Sequence, residues 1–143
     1  MKIKDFRDDY WFLSNFFRCR FTYNEFEYKS VEHAFQAAKA IEKKDHDNIA
    51  ASKKPGEAKR WGRLVSLRQD WEKVKDGIMY DIVKAKFEQN LGLKKLLLDT
   101  GDAELLEGNT WGDVYWGVNS ISEVGQNKLG KILMRVREEL SND

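Results

Sequence analysis

Glu32, Gln36 and Lys39 lie in "YKSVEHAFQAAKA", residues 28–40, at spacings of four and three. On a helix such positions share one face. That face carries an acid, an amide and an ammonium in a row. A carboxylate in a helix's first turn is stabilised by the free N–H groups and the dipole there, so Glu32 has an ordinary structural explanation. The same environment holds a carboxylate ready to act as a base or to stabilise developing positive charge. Local structure does not separate these readings.

Three other segments carry reactive or ligand-binding residue types. Residues 53–68 contain Lys53, Lys54, Lys59, Arg60, Arg63 and Arg68 against one acid, Glu57. This is either a solvated helix face or a phosphate cradle, since arginine grips phosphate at two points. Arg63 and Arg68 are the favoured ligands because they fall outside the helical run. "TWGDVYWGVN" packs Trp111, Tyr115 and Trp116 around Asp113. Aromatic rings stacking on a nucleobase contribute roughly 1–3 kcal/mol each, and an acid among them suits a ribose hydroxyl or acid–base work. Asp113 in a plain turn is the competing reading. "LLLDTG", residues 96–101, has the Asp-Thr-Gly of aspartic proteases. Those enzymes share one proton between two aspartates. A second copy is absent, and the flanks fit a helix.

The histidines are His33 and His46, and Cys19 is the one cysteine. Zinc spacing is therefore missing, no metal or cofactor is expected, and His33 reads as a packing or hydrogen-bonding residue.

These groups must be positioned by a fold. A chain of 143 residues, 41% hydrophobic and 34% charged, suits one globular domain over 1–143. Its net charge of +1 lacks the broad basic field of a non-specific nucleic-acid binder. No signal-peptide run opens the chain and no apolar run spans a bilayer, so a cytoplasmic location without membrane contact is expected.

Aromatic residues from Phe17 to Tyr28 surround "NE" at 24–25, predicting a β-hairpin. Ser30 is placed to cap a helix with Val31, Phe35, Ala38 and Ile41 as its apolar stripe. "KDHDN" at 44–48 reads as loop. Pro55 opens a short helix, and "RLVSLR" reads as an extended link. Asp70 is placed to cap a helix through Trp71, Val74, Ile78, Ile82 and Ala85, with Gly92 interrupting. "LKKLLLD" reads as a short helix, "AELLEGN" as a strand and 129–140 as a final amphipathic helix. The fold class is α+β, mostly helical, with a small sheet or hairpin.

Taken in order, "FLSNFF", "YKSVEHAFQAAKA", "AKRWGRLVSLRQDWEKVKDGIM", "AKFEQN", "LLLDTG", "GDVYWGVN" and "GQNKLGKILMRVRE" resemble the NADAR (NAD- and ADP-ribose-associated, YbiA-like) family over almost the whole chain. The resemblance implies a compact α+β domain and N-glycosidase activity. The implied substrates are phosphorylated ribosylamino-pyrimidines, early intermediates of riboflavin synthesis. Other members of the family remove ADP-ribose from guanine in DNA, so ADP-ribosylated DNA is the alternative substrate. A module that binds ADP-ribose or NAD without cleaving it is a further alternative. The resemblance implies Glu32 and Asp113 as catalytic residues. Asn15, Gln36, Lys39, Arg63, Arg68, Trp71, Trp116, Gly117 and Asn127 are the substrate-binding candidates. It also places "LLLDTG" at a helix end. The turn "YNEFEY" and the loop "WGDVYWG" depart from the family's usual glycine and proline-bearing versions, which bears on substrate identity. This mechanism expects the 32–39 face and the 111–117 loop to converge.

Overall fold

The computed structural model describes residues 1–142. The chain divides into two compact units, Asn15–Gln89 and Met1–Ser14 with Asn90–Asp143. Each has its own apolar core.

In the Asn15–Gln89 unit, β2 (Phe21–Tyr23) and β3 (Phe26–Tyr28) form the expected hairpin, with Thr22 opposite Glu27. Asn24 and Glu25 both take positive φ, 50° and 65°, as a two-residue turn matched to strand twist requires. The helices are α1 (Val31–Ala38), α2 (Lys43–Ala50), α3 (Pro55–Gly62) and α4 (Trp71–Gln89). α1 packs against α2, α3, α4 and β3. Its Val31, Ala34, Phe35 and Ala37 are buried, so the helix lies inside its unit.

Four readings change here. Residues 44–48 belong to α2, a polar helix whose only buried residues are Ile49 and Ala50; two apolar side chains at one end leave no periodic stripe to read. α1 ends at Ala38, leaving Ile41 60% exposed. The chain there turns extended, with Ala40 bridging to Leu67 and Arg68 N–H donating to Lys39 O. The buried residues of α4 are Trp71, Met79, Ile82, Val83, Lys86 and Phe87; Trp71 and Ile82 belong to the apolar stripe proposed above, while Met79, Val83, Lys86 and Phe87 take the places given there to Val74, Ile78 and Ala85. Burial pushes the Lys86 ammonium down to about 8, with the Phe17 and Phe87 ring centres 5.6 and 5.0 Å away. Finally, Asp70 directs its carboxylate to Arg68.

In the other unit, α5 (Leu91–Asp99) starts directly after α4, so Gly92 lies inside a helix and the break falls at Asn90. α5 packs on α6 (Lys128–Ser141), which also covers β4 (Glu104–Leu105). β4 pairs in parallel with β1 (Lys2–Ile3), and β5 (Gly108–Asn109) pairs in parallel with β6 (Val118–Asn119). Asp99 sits at the end of α5, its carboxylate 3.3 Å from Lys95 Nζ. No helix among the described residues is long and apolar enough to cross a membrane.

The start of α1 is fixed by a buried polar chain. Ser30 Oγ accepts the His33 backbone N–H at 3.1 Å, and its hydroxyl faces His33 Nδ1 at 2.7 Å. With the hydroxyl donating to Nδ1, Nε2 carries the proton and donates to Ser52 O at 2.9 Å. The neutral imidazole therefore joins the N-terminus of α1 to the chain just past α2. Burial, above all, pushes the His33 pKa below 6.5, with Lys29 and Arg18 adding to the effect against Ser52 and Glu57. A histidine whose folded pKa is lowered stabilises the fold fully above its unfolded value, and that stability is lost as pH falls through the folded pKa. Denaturant melts should therefore show stability declining as pH drops below about 6.5. His33→Phe should lower the neutral-pH baseline by about 1–3 kcal/mol, through the unpaired Ser52 carbonyl, and flatten that part of the pH profile.

Candidate active site

Glu32 stands in the first turn of α1 and is only 6% exposed. Its backbone N–H donates to Asn15 O at 3.0 Å, and Gln36 Nε2 donates to Glu32 Oε1 at 2.7 Å. The i, i+4 spacing on a helix makes the second bond, and the chain before β2 crosses the helix start to make the first. Gln36 is 5% exposed. Gly62, at the end of α3, gives it room: a methyl group there would run into Gln36 Oε1.

Among the described residues, two buried side-chain atoms lack a hydrogen-bond partner, and they are Asn15 Oδ1 and Gln36 Oε1. Both residues are bonded to Glu32. Asn15 directs its other amide atom to Met79 Sδ at 3.7 Å. Buried polar atoms are nearly always satisfied. These two acceptors, one on the residue that bonds the Glu32 carboxylate and one on the residue that bonds its backbone N–H, are left without a donor.

Lys39 completes the row. Its ammonium lies 5.8 Å from the Phe35 ring centre and 5.9 Å from that of Trp71. Burial chiefly lowers its pKa; Glu32 pulls it back up, and Arg63, Lys59 and Lys75 push it further down. Four cationic side chains thus share one neighbourhood with Glu32. Glu72 holds Lys75 through a 2.8 Å hydrogen bond.

The structure brings Asn15, Glu32, Gln36, Lys39 and Arg63 together. Arg63 is the C-cap of α3 and exposed. Trp71 is 5% exposed and packs tilted on Phe35, ring centres 4.9 Å apart, so it shapes the wall under Lys39. Arg68 is held by a neighbouring acid: its Nε and Nη2 fork onto Asp70 at 2.6 and 3.0 Å. That fork is the two-point grip a phosphate would need. Lys59 belongs to the cationic run weighed as a phosphate cradle, whereas Lys75 and Gly62 were missed as neighbours of the site. Lys75 carries a readable signal, since it lies one helical turn after Trp71; Gly62 carries none.

In the other unit, Asp113 organises its own loop. Its Oδ1 accepts the N–H groups of Tyr115 and Trp116 at 3.1 and 2.9 Å, while its own N–H donates to Asn109 Oδ1 at 3.0 Å. Trp116 is half-buried against Tyr115, edge to face at 4.9 Å. Trp111 is 66% exposed. Gly117 is packed against Glu107, with no space for a Cβ. Asn127 adopts φ 51° and is buried. Its Oδ1 accepts the Glu107 N–H at 3.0 Å and its Nδ2 donates to Leu105 O at 2.9 Å, so its amide braces the β4–β5 link. Asn109, missed in the sequence, locks the 107–113 turn by donating to Asp113 O at 2.8 Å. Among the described residues no group of three or more His, Cys, Asp or Glu is gathered to hold a metal ion.

Residues 3–141 match the family model for the NADAR domain. The chain belongs to that family. It is 40% identical over 136 residues to the N-glycosidase YbiA of Escherichia coli, covering 94% of this chain and 84% of that protein. The NMR structure of E. coli YbiA superposes with a TM-score of 0.87 at 36% identity, covering 99% of this chain and 84% of that one. A riboflavin biosynthesis protein of Vibrio vulnificus is 36% identical over 135 residues, covering 93% of this chain and 36% of that longer protein. The chain is an enzyme of the N-glycosidase class, and its fold is α+β.

Two substitutions probe the geometry. Gly62→Ala should leave the protein folded, because the colliding atom ends a flexible side chain, yet displace the Gln36 amide from Glu32. Turnover should fall about ten-fold with the melting temperature little changed. Asp113→Ala, which removes Oδ1, should cost about 1–2 kcal/mol of stability. Asp113→Asn keeps that acceptor and should melt like the parent, so a loss of turnover in this variant alone would assign Asp113 a chemical role.

Proposed function

We propose that the chain hydrolyses the C1′–N bond of a phosphorylated ribosylamino-pyrimidine, with Glu32 as the catalytic carboxylate. The observation that carries this reading is the buried Glu32 flanked by the unpartnered acceptors of Asn15 and Gln36, with Lys39, Lys59, Arg63 and Lys75 near the far end of the same row.

Cleaving the bond builds positive charge on C1′ and the ring oxygen while the electron pair leaves with nitrogen. A carboxylate in a water-poor site stabilises that charge. Glu32 also accepts a proton from the attacking water, whose oxygen bonds to C1′. The proton passes to the departing nitrogen, so carboxylate, ribose 5-phosphate and free amine result. Asn15 Oδ1 and Gln36 Oε1 accept hydrogen bonds from ribose hydroxyls or from the water itself. Lys39 and Arg63 hold the phosphate, and Lys59 and Lys75 add to the field.

The riboflavin biosynthesis relative supports a free pathway intermediate as substrate, and the net charge of +1 suits a small molecule better than a DNA duplex. The enzyme acts as one domain in the cytoplasm, where its single thiol stays reduced.

The protein incubated with a ribosylamino-pyrimidine 5-phosphate should release ribose 5-phosphate. Glu32→Gln should reduce turnover by roughly a hundred-fold or more with little change in KM. Undiminished turnover in that variant would remove Glu32 from the chemistry. Release of ADP-ribose from a modified guanine in DNA, without release from the pyrimidine, would replace the substrate.

A further inference from the structure

A second cationic site lies elsewhere in the Asn15–Gln89 unit. Arg18, Cys19, Arg20, Lys29, Lys53 and Lys54 line a cavity of about 540 Å³. None of Glu32, Gln36, Lys39, Lys59 or Arg63 is among them. The two sites also meet different sides of α1: Lys39 senses Glu32, Arg63, Lys59 and Lys75, whereas His33 senses Lys29 and Arg18.

The cavity is built by the backbone. Cys19 N–H donates to Lys29 O at 3.0 Å, which sets residues 18–20 beside the strand end at 27–29. Arg18 Nη2 then donates to Lys53 O at 2.8 Å, and Lys29 Nζ donates to Ala51 O and Ser52 O at 3.3 and 3.2 Å. Carbonyl groups fix these two cations in place without neutralising them. Arg20 pairs with Glu27 at 2.6 Å. Lys53 and Lys54 are exposed. Five cations line this concavity and no acidic side chain is among its lining residues, so its field favours an anion.

We propose that this cavity is a second anion-binding site, distinct from the Glu32 site, that takes a compact ligand bearing two or more phosphate groups. The prepositioned Arg18 and Lys29 supply a guanidinium fork and a point charge for neighbouring phosphates. Lys53 and Lys54, both exposed, add two further positive charges to the lining. A concave site of this size fits a compact polyphosphate better than an extended phosphodiester chain.

The test is calorimetric titration with inorganic tripolyphosphate at low salt, in a Lys39→Met/Arg63→Ala background that disables the cations of the Glu32 site. One binding event should remain there. Adding Lys53→Glu and Lys54→Glu should weaken it by about ten-fold or more, while adding Lys44→Glu and Lys131→Glu, the same change in net charge, should alter it less than about two-fold. Circular dichroism monitors folding, and the Lys53/Lys54 pair placed in the wild-type chain gives the same contrast should the background variant unfold. Absence of binding in the background and the wild type, or equal weakening by both charge-reversal pairs, would overturn the proposal. A single-stranded oligonucleotide at equal phosphate concentration separates the sources. Weaker binding than tripolyphosphate supports the compact ligand, and tighter binding overturns it.

Discussion

A helix whose first turn is buried must satisfy its polar groups from inside the protein, and much of the Asn15–Gln89 unit follows from how α1 does so. Its start carries Ser30, Glu32 and His33, all buried, with Gln36 one turn on. Water normally solvates the free N–H groups of a helix N-terminus. Here Asn15 O takes the Glu32 N–H and Ser30 Oγ takes that of His33. Both partners come from the chain that leads into and out of the β2–β3 hairpin, so the hairpin's place is set by the needs of the helix end. The Ser52 carbonyl, fixed by the close of α2, receives the His33 ring N–H. With those demands met, Gln36 Oε1 and Asn15 Oδ1 stand out as atoms left over.

This organisation explains what sequence pattern reveals and what it conceals. The Ser30 cap, the positive-φ turn at 24–25 and the face shared by Glu32, Gln36 and Lys39 depend on neighbours within one helical turn or one hairpin, so spacing reveals them. The same holds for α3, opened by Pro55, and for the amphipathic α6. α2 was hidden because "KKDHDNIA" buries two residues and owes its helicity to what those two meet. The face of α4 was misjudged because lysine counts as polar in any periodic pattern, yet Lys86 is buried along its whole stem. Arg68 and Asn127 look available in sequence, but their hydrogen-bonding groups are taken by Asp70 and by the β4–β5 link. Only folded distances decide that.

Asp113 and Glu32 illustrate the two fates of an acid near a run of free N–H groups. Asp113 uses one oxygen to close its own loop on the N–H groups of Tyr115 and Trp116, which is what a short side chain in a turn does best. Glu32 has a longer reach, and the backbone N–H groups of the helix start already have other acceptors. One oxygen of its carboxylate accepts the Gln36 side-chain amide. That difference in local demand, more than residue type, separates the settings of these two acids.

Under the proposed function, in which Glu32 faces C1′ of a phosphorylated substrate, the order of charge along α1 also suits the bond to be cleaved. An oxocarbenium-like centre and a phosphate make opposite demands on a site. Cations crowded around C1′ would raise the barrier, and a carboxylate beside the phosphate would repel it. Seven residues separate Glu32 from Lys39, about 10 Å along a helix axis, with the neutral Gln36 amide between them. Lys59, Arg63 and Lys75 gather at the Lys39 end. A phosphate held at the Lys39 end would leave the field of Glu32 at the far end largely its own. A row of acid, amide and ammonium thus keeps the two demands apart on one rigid element, which a flexible loop carrying the same three residues would not do.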